Sequence, residues 1–315
     1  MTPIEQAASI LRDGGTVVFP TETVYGLGAN ALNPDAVAKI FAIKRRPRFN
    51  PLIVHVSSLA MARELVAHIP PEAESLIHQF WPGPLTLVLP RKSTVPDLVT
   101  AGLPTVAVRM PHHPTAQALL QAAGVPLAAP SANRFTRLSP TRVEHARTQL
   151  GSDVDFYLDG GACDVGVEST IVGWIDGRPT CLRRGGIERA LLETAIGELA
   201  EPPAKAPILA PGALDKHYSP RTPLIFTAQS VPFHKPRRVA LLTLKPGDED
   251  ESRYAKTVYL SPSGDLVEAA KTLFAKLAEL ESEDWDLIVA RPVPPVGLGE
   301  AINDRLTRAG NAETL

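Results

Sequence analysis

The sequence predicts an α/β protein with one large twisted sheet and, after a proline-rich break, a smaller α/β unit. Short β-branched runs alternate with helical patterns along the first 200 residues. Six prolines between residues 202 and 223 then occur at a density that neither a helix nor a central strand tolerates. The length of 315 residues favours two domains. We place them at 1–200 and 223–315, with 201–222 as a linker.

The first elements follow from local patterns. Apolar residues 16–19 predict a buried strand, which leads into a polar, glycine-punctuated loop over 20–28. Asn33 and Pro34 are typical of a helix N-cap and first turn, and apolar residues follow at helical spacing. Further strands are predicted at 52–56, 85–89, 105–109, 126–129, 156–158 and 170–174, and helices at 58–68, 71–80, 114–123 and 140–150.

After the break the same alternation repeats on a smaller scale. Residues 238–244, 257–260 and 286–290 predict strands, and apolar residues at helical spacing over 266–280 predict a long helix, with a last helix near 298–309. This order predicts a compact βαβ-type module. No Gly-x-Gly-x-x-Gly sequence follows a strand here, so the usual dinucleotide fingerprint is absent.

Composition excludes several classes of protein. The chain is 44% hydrophobic and 21% charged, as in folded globular proteins. It contains neither an apolar run of about 18–20 residues, which a bilayer span needs, nor a secretory signal, so we expect a cytoplasmic protein without a membrane contact. Two cysteines cannot form a disulfide framework or a thiolate metal site, although they could pair with one another. With a formal net charge of −2, any polyanion site must be local.

A basic cluster, Lys44-Arg45-Arg46-Pro47-Arg48, ends the helix that begins near residue 34. These four cations in five residues either complement the helix dipole on a solvated surface or bind a triphosphate. The cluster leads directly into the strand over 52–56. Sites are often built at such junctions, which favours the second interpretation.

Arg109 ends an apolar strand, where it either faces solvent or clamps a carboxylate with its guanidinium. His112 and His113 follow it. Adjacent histidines at a strand exit point in opposite directions, so we expect no metal ligation there or elsewhere.

Three further segments could bind a ligand, although each is weak evidence alone. Ser131 and Asn133 follow an apolar strand and are typical either of a turn or of groups that hydrogen-bond an anion or a sugar. The segment 166–170 is polar and begins with glycine. Arg183 and Arg184 precede a helix that begins near residue 187, whose free N–H groups could receive an anion.

In this order, these segments resemble the YrdC-like family. With the second unit, the whole chain is similar to the long two-domain form of that family, the threonylcarbamoyl-AMP synthases. The resemblance implies an α/β fold, with a large twisted mixed sheet and helices, plus a smaller Rossmann-like α/β C-terminal domain. It is carried by the FPTETVYGL run at 19–27, Lys44-x-Arg46, Asn50-Pro51-Leu52, the WPGPLT run at 81–86, Val108-Arg109, Ser131-x-Asn133, Glu168-Ser169-Thr170 and His217-Tyr218-Ser219-Pro220.

The resemblance implies a nucleotidyltransferase that condenses L-threonine, bicarbonate or CO2, and ATP into threonylcarbamoyl-AMP and pyrophosphate. A downstream transferase would then place the threonylcarbamoyl group on an adenosine of certain tRNAs. The residues that would bind threonine are Thr23, His55, Arg109, Ala129 and Ser169. Those that would bind ATP are Lys44, Arg46, Asn50, Thr105, Ser131, Asn133, Ser139, Arg183 and Tyr218. Without the resemblance, the apolar strand around His55 favours a core histidine.

This chemistry needs no side-chain nucleophile, so catalysis would consist of positioning and charge neutralisation. Lys44 and Arg46 would be catalytic by stabilising the leaving pyrophosphate, together with a Mg2+ ion carried on the ATP phosphates. The linker is predicted either to fold over the cleft as a lid, with His217 and Tyr218 near the nucleotide, or to pack Tyr218 under the second unit.

Two other functions compete with this one. The basic cluster also fits a ribosome or tRNA maturation factor that contacts tRNA or double-stranded RNA without catalysis, although the near-zero net charge opposes that interpretation. An O-carbamoyl-transfer module of the hydrogenase-maturation type would need acylphosphatase and zinc-finger segments, which this sequence lacks.

Overall fold

The computed structural model describes residues 1–203, 217–229, 231, 238–247 and 250–310. The first unit comprises α1 (Pro3–Arg12), β1 (Val17–Phe19), β2 (Gly26–Asn30), α2 (Pro34–Lys44), β3 (Ile53–His55), α3 (Leu59–Leu65), α4 (Pro71–Phe80), β4 (Leu85–Pro90), α5 (Asp97–Thr100), β5 (Thr105–Arg109), α6 (Pro114–Ala123), β6 (Leu127–Ala128), α7 (Val143–Leu150), β7 (Phe156–Tyr157), β8 (Thr170–Ile175), β9 (Arg178–Arg183) and α8 (Arg189–Ile196).

The strands of the first unit form one nine-stranded sheet in the order β7-β1-β2-β6-β3-β5-β4-β8-β9. Three neighbouring pairs are parallel (β1 with β7, β3 with β5, β4 with β8) and the other five are antiparallel, which confirms the large mixed sheet. The register sets His55 beside Arg109 across the parallel pair and Thr86 beside Arg109 across the antiparallel pair. Three polar side chains therefore meet at one edge of the sheet.

Helix α2 begins and ends as its sequence predicts. The Asn33 side chain accepts hydrogen bonds from the backbone N–H groups of Asp35 and Ala36, and Pro34 occupies the first turn. The helix ends at Lys44, after which Arg45 adopts a left-handed conformation with φ 53°. After this turn the cations of the basic cluster differ in burial: Lys44 and Arg46 are buried, whereas Arg45 and Arg48 are exposed.

The loop predicted over 20–28 is wrong in its last three residues, because β2 begins at Gly26. A Cβ atom on Gly28 would lie 2.7 Å from Cε1 of Phe19, so only glycine allows this strand to approach the Phe19 ring. Glycine punctuation therefore marks a close strand contact here and not a turn. Helix α1, strand β9 and the short helix α5 were not predicted.

The second unit is a four-stranded parallel sheet with helices, which confirms the βαβ-type module. Its elements are β10 (Leu224–Phe226), β11 (Val239–Thr243), β12 (Lys256–Tyr259), α9 (Leu266–Glu281), β13 (Leu287–Ala290) and α10 (Leu298–Ala309), with strand order β10-β13-β11-β12. Strand β10 was not predicted. Within the described residues, no helix combines the length and the apolar character that a bilayer crossing needs.

The two units share one hydrophobic cluster. Val24 and Val167 of the first unit pack in the same cluster as Tyr218 and as Phe274 of α9. Gly166 has φ 78°, and a Cβ atom there would lie 2.4 Å from Cα of Lys271, so the two backbones touch. Apolar burial and this close approach hold the second unit against the first.

The linker is described only at its ends. Residues 204–216, which include Pro207, Pro211 and Lys216 of the predicted linker, lie outside the described residues. Beyond them, the His217 N–H donates to the carbonyl oxygen of Arg308 in α10, and the Ser219 N–H donates to that of Thr136. Residues 217–219 therefore lie between the two units.

Candidate active site

A cavity opens at the sheet edge where β3 and β5 end and β4 and β8 begin. It encloses about 50 Å³. Its lining includes nine of the predicted site residues: Thr23, Arg46, His55, Arg109, Ala129, Ser131, Ser169, Arg183 and Tyr218. The fold therefore brings together residues that are up to 195 positions apart in the sequence, since both Thr23 and Tyr218 line the cavity.

Arg109 is buried and oriented by two hydrogen bonds and an ion pair, so the solvent-facing interpretation is wrong. The side chain donates from Nη1 to Oγ1 of Thr23 at 2.9 Å and from Nε to the carbonyl oxygen of Gly83 at 3.3 Å. Its Nη2 lies 2.7 Å from Oε1 of Glu22, and both of these side chains are less than a tenth exposed. The guanidinium is thus held in a fixed direction at the cavity wall.

His55 is neutral in this environment. Burial, and after it the adjacent positive charge of Arg109, together lower the pKa of His55 to about 3. Its Nδ1 is buried without a hydrogen-bond partner among the described residues. A neutral imidazole can donate from one ring nitrogen and accept at the other, so His55 is suited to a hydroxyl group rather than to a second anion.

Ser169 and Arg183 form the opposite wall. The Ser169 Oγ lies 2.7 Å from Oγ1 of Thr86, and Arg183 Nη2 donates to that same serine oxygen at 3.1 Å. Arg183 also donates to the backbone carbonyl of Ser169 from Nε and Nη2. This wall joins the starts of β4 and β8 to the end of β9.

The basic cluster divides into buried and exposed members. Lys44 and Arg46 are buried, whereas Arg45 and Arg48 are exposed. For Lys44 and Arg46, the solvated-surface interpretation is therefore wrong. Lys44 Nζ donates to the carbonyl oxygens of Ser131, at 2.6 Å, and Asn133.

Burial lowers the pKa values of Lys44 and Arg46. It lowers the pKa of Lys44 well below its ordinary value, and the charges of Arg46 and Arg134 act in the same direction. Burial also lowers the pKa of Arg46 to about 9. Arg46 donates to the carbonyl oxygens of Asn50, at 3.3 Å, and Pro51, at 3.0 Å. Adding an anion beside these groups would relieve the repulsion that Lys44 and Arg46 exert on each other.

Three of the other predicted nucleotide residues, Asn50, Thr105 and Asn133, do not line the cavity. Asn133 donates its side-chain amide to the carbonyl oxygens of Arg134 and Arg137. The side-chain amide of Asn50 is buried with no hydrogen-bond partner among the described residues. Thr105 begins β5, four residues from Arg109 and so roughly 13 Å along the strand from the threonine-side residues.

His217 and Tyr218 of the linker cover one side of the cavity. Their ring centroids are 4.0 Å apart, and both residues line the cavity. Tyr218 also packs on Phe274 of α9, at 5.6 Å between ring centroids. The two alternatives for this tyrosine are therefore combined: it packs under the second unit and borders the cavity.

Three buried charged residues were not predicted as site residues from the sequence: Glu22, Glu168 and Arg305. Glu22 and Glu168 lie inside recognised runs but had no role assigned to them. The available signal was a charged side chain at a position where the periodicity predicts an apolar one, as for Arg305 on the buried face of α10.

The donor set does not form a protein cage for a metal ion. Among the described residues, no three His, Cys, Asp or Glu side chains are grouped closely enough to hold one. His113 instead caps α6, because its Nδ1 accepts from the Thr115 N–H at 3.2 Å. The carboxylate in the cavity lining, Glu168, is bonded to Ser139 and Arg305. A Mg2+ ion carried on the ATP phosphates stays a prediction.

Known proteins match the chain over nearly its whole length. Residues 9–185 match a family model described as telomere recombination, and residues 186–311 match one described as threonylcarbamoyl-AMP synthase, C-terminal domain. The threonylcarbamoyl-AMP synthase of Bacillus subtilis is 39% identical, over 99% of this chain and 94% of that protein. The one from Pyrococcus abyssi is 40% identical, over 97% of this chain and 93% of that protein.

A solved structure matches to the same extent. The crystal structure of P. abyssi Sua5 complexed with L-threonine superposes with a TM-score of 0.88 at 38% sequence identity. The match covers 97% of this chain and 93% of that chain, so it includes both units.

Proposed function

The chain belongs to the threonylcarbamoyl-AMP synthase family, and from this premise we propose that it makes threonylcarbamoyl-AMP and pyrophosphate from L-threonine, bicarbonate or CO2, and ATP. It is an enzyme of the nucleotidyltransferase type, as its full-length relatives are. The product would pass to a transferase that modifies tRNA. A cytoplasmic location stays a prediction.

The observation that supports this function most strongly is that one cavity is lined both by Arg109 and by two further cations, Arg46 and Arg183. Arg109 presents a fixed guanidinium at one wall, beside the neutral His55. Arg46 and Arg183 line the same cavity, and Lys44 lies directly behind Ser131. An amino acid and a nucleoside triphosphate are the two ligands that this charge pattern fits.

At the threonine end, Arg109 would bind the carboxylate in a bidentate manner. His55, which stays neutral, would hydrogen-bond the threonine hydroxyl, with Thr23 and Ser169 as further partners. The backbone at Ala129 is fixed by the hydrogen bond from its N–H to the carbonyl oxygen of Ile53 at 2.9 Å. These contacts would leave the amine free to face the nucleotide.

The reaction forms a C–N bond and an O–P bond, breaks the bond between the α-phosphorus and the β-phosphate oxygen, and releases the amine proton to solvent. The amine attacks CO2, loses a proton and becomes a carbamate, and a carbamate oxygen then attacks the α-phosphorus of ATP while the bond to the β-phosphate oxygen breaks. Lys44, Arg46 and Arg183 would stabilise the negative charge that develops on the leaving pyrophosphate. A Mg2+ ion carried on the ATP phosphates would supply further charge neutralisation.

The linker would act as a lid over this cavity. A volume of about 50 Å³ is well below the roughly 300–1,000 Å³ of typical ligand pockets, so substrate entry requires side chains to move. His217 and Tyr218 belong to the linker and cover the cavity, which makes them the groups most suited to move. Closure would exclude water from a mixed anhydride that hydrolyses readily.

Pyrophosphate release tests the proposal. We expect the full chain with ATP to release pyrophosphate only when both L-threonine and bicarbonate are present, with recovery of threonylcarbamoyl-AMP. Release that continues when either is omitted would mean that the chain hydrolyses ATP or activates another acid.

An RNA-binding role without catalysis has less support. Burial of Lys44 and Arg46 removes two of the four cations of the basic cluster from the surface. Since affinity for a nucleic-acid backbone scales with the number of phosphates neutralised, the cluster becomes a weaker RNA site. Direct contact with tRNA stays a prediction.

A further inference from the structure

Arg305 is a charged side chain on the buried face of α10. Arg305 is only 1% exposed. The rest of that face consists of small and apolar residues, namely Leu298, Gly299, Ala301, Ile302, Leu306 and Ala309. Burying a guanidinium is costly unless its N–H groups find acceptors. A specific set of partners must therefore offset this burial.

These partners lie across the boundary between the two units. Arg305 Nε donates to Oε2 of Glu168 at 2.7 Å, and Nη2 donates to the carbonyl oxygen of Arg184 at 3.0 Å. Nη1 donates to Asp304 on the same helix at 2.5 Å. The guanidinium carbon also lies 5.0 Å from the centroid of the Tyr218 ring. One side chain of the second unit thus contacts both the first unit and the linker.

Glu168 transmits this contact to the cavity. It lines the cavity, and its other oxygen, Oε1, accepts a hydrogen bond from Ser139 Oγ at 2.5 Å. Burial alone would raise the pKa of Glu168, but Arg305, Arg183 and the Ser139 hydroxyl together keep it below its ordinary value. The carboxylate therefore stays charged and can hold both partners.

We propose that Arg305 is a positioning residue for the nucleotide: it holds Glu168, and through it Ser139, together with the Tyr218 ring at the ATP end of the cavity. This rests on the proposed function, which assigns Ser139 and Tyr218 to ATP. It also gives the second unit a role in a reaction whose cavity lies in the first.

The threonine end has a different support. Arg109 is bonded to Thr23 and Gly83. Ser169 is bonded to Thr86 and to Arg183, and all of these residues belong to the first unit. Loss of Arg305 should therefore weaken ATP binding and leave threonine binding unchanged. A merely structural loosening of the interface would weaken both.

The matched control is Glu300→Gln on the same helix. Glu300 Oε2 accepts from Arg184 Nε at 2.8 Å, so it also joins α10 to the segment around Arg184, but at a partly exposed site. Its substitution removes an ion pair between the units without touching Glu168 or Tyr218.

The experiment measures binding of MgATP and of L-threonine separately, by calorimetry on the full chain. We expect Arg305→Met to raise the Kd for MgATP at least about tenfold while the Kd for L-threonine stays within about twofold. Arg305→Lys should recover part of the loss, and Glu300→Gln should leave both constants within about twofold. The double variant Glu168→Gln/Arg305→Met should recover thermal stability, because it leaves no unpaired buried charge, but should keep the ATP defect.

Two outcomes would overturn the inference. One is an equal loss of affinity for both ligands in Arg305→Met, or in Arg305→Lys if the first variant does not fold. The other is recovery of ATP binding, along with stability, in the double variant. The proposed function fails by a separate result, namely pyrophosphate release by the unmodified chain that does not depend on threonine and bicarbonate, because the binding measurements need no turnover.

Discussion

The two ends of the cavity are built in different ways. At the proposed threonine end, Arg109 donates to Thr23, and the Ser169 hydroxyl is bonded to that of Thr86, all at the edge of a single sheet. At the proposed nucleotide end, Lys44 comes from a helix terminus, Tyr218 from the linker, and the support of Glu168 from α10 in the second unit. One end is formed when the sheet forms, whereas the other needs both units and the linker to dock.

This difference has an energetic consequence. A preformed site loses little conformational entropy when its ligand binds, whereas an assembled one must order side chains and linker at that moment. We therefore expect substitutions at the threonine end to change the affinity for one ligand. Substitutions at the nucleotide end should change turnover and closure as well.

The largest expected effect separates two neighbours in the basic cluster. Arg46→Ala removes a buried cation from the cavity lining and should lower kcat for pyrophosphate release by about 100-fold or more, or roughly 3 kcal/mol of transition-state stabilisation. Arg45→Ala is the matched control, since Arg45 is exposed, and should change kcat by less than about twofold. Equal kcat values for the two variants would mean that Arg46 has no more part in the reaction than the exposed Arg45.

The next effect tests whether the threonine end is independent of the ATP end. Arg109→Gln should weaken L-threonine binding by about 2–3 kcal/mol and ATP binding by much less, because only the amino acid has a carboxylate for this guanidinium. Calorimetric titration of each ligand measures both values.

Arg91→Gln is the control for Arg109, because Arg91 follows the far end of β4 and pairs with the exposed Asp97. It should leave both affinities unchanged. If Arg109→Gln weakened both ligands equally, the guanidinium would be structural or would bind phosphate, and the division of the cavity would be wrong.

The pH dependence of stability tests the burial of His55. Its pKa falls from 6.5 in the unfolded chain to about 3 in the fold, so between these values the unfolded chain binds a proton that the folded chain does not. Stability from this group is therefore complete above pH 6.5 and decreases as the pH falls towards 3. At pH 5 the loss should be on the order of 2 kcal/mol.

Chemical denaturation of the unmodified chain and of His55→Gln at pH 5 and 7.5 measures this loss. Other titrating groups, including His217, are common to both proteins and cancel in the difference. A stability difference between the two proteins that is the same at both pH values would contradict the neutral, buried state of His55.

The smallest expected effect concerns the lid. Tyr218→Ala should lower the yield of threonylcarbamoyl-AMP per pyrophosphate released by up to about tenfold, because water reaches the mixed anhydride when the linker closes poorly. Tyr218→Phe keeps the ring against Phe274 and Arg305 and should lower the ratio by less than about threefold. A ratio unchanged in Tyr218→Ala would leave this segment as a tether between the units.

Local patterns account for much of the fold. The Asn33 cap, the buried face of α9 and the alternation of strands with helices are set by residues within a few positions of each other, so their sequence predicts them. The loop prediction failed at Gly26 and Gly28, where the missing side chain of glycine allows the strand to pack against the Phe19 ring. It failed there because the contact joins strands whose pairing no local rule specifies.

By itself, the sequence determined the fold class, the family and the residue types of the cavity, since motifs and periodicity are local properties of the chain. Only the tertiary structure decided which cations turn inward, because burial of Lys44 and exposure of Arg45 depend on what packs against the helix end. The pairing of Glu168 with Arg305, 137 residues apart, likewise exists only after the two units dock. Its energy depends on distance and dielectric in the folded state, and neither quantity is encoded at any one position of the chain.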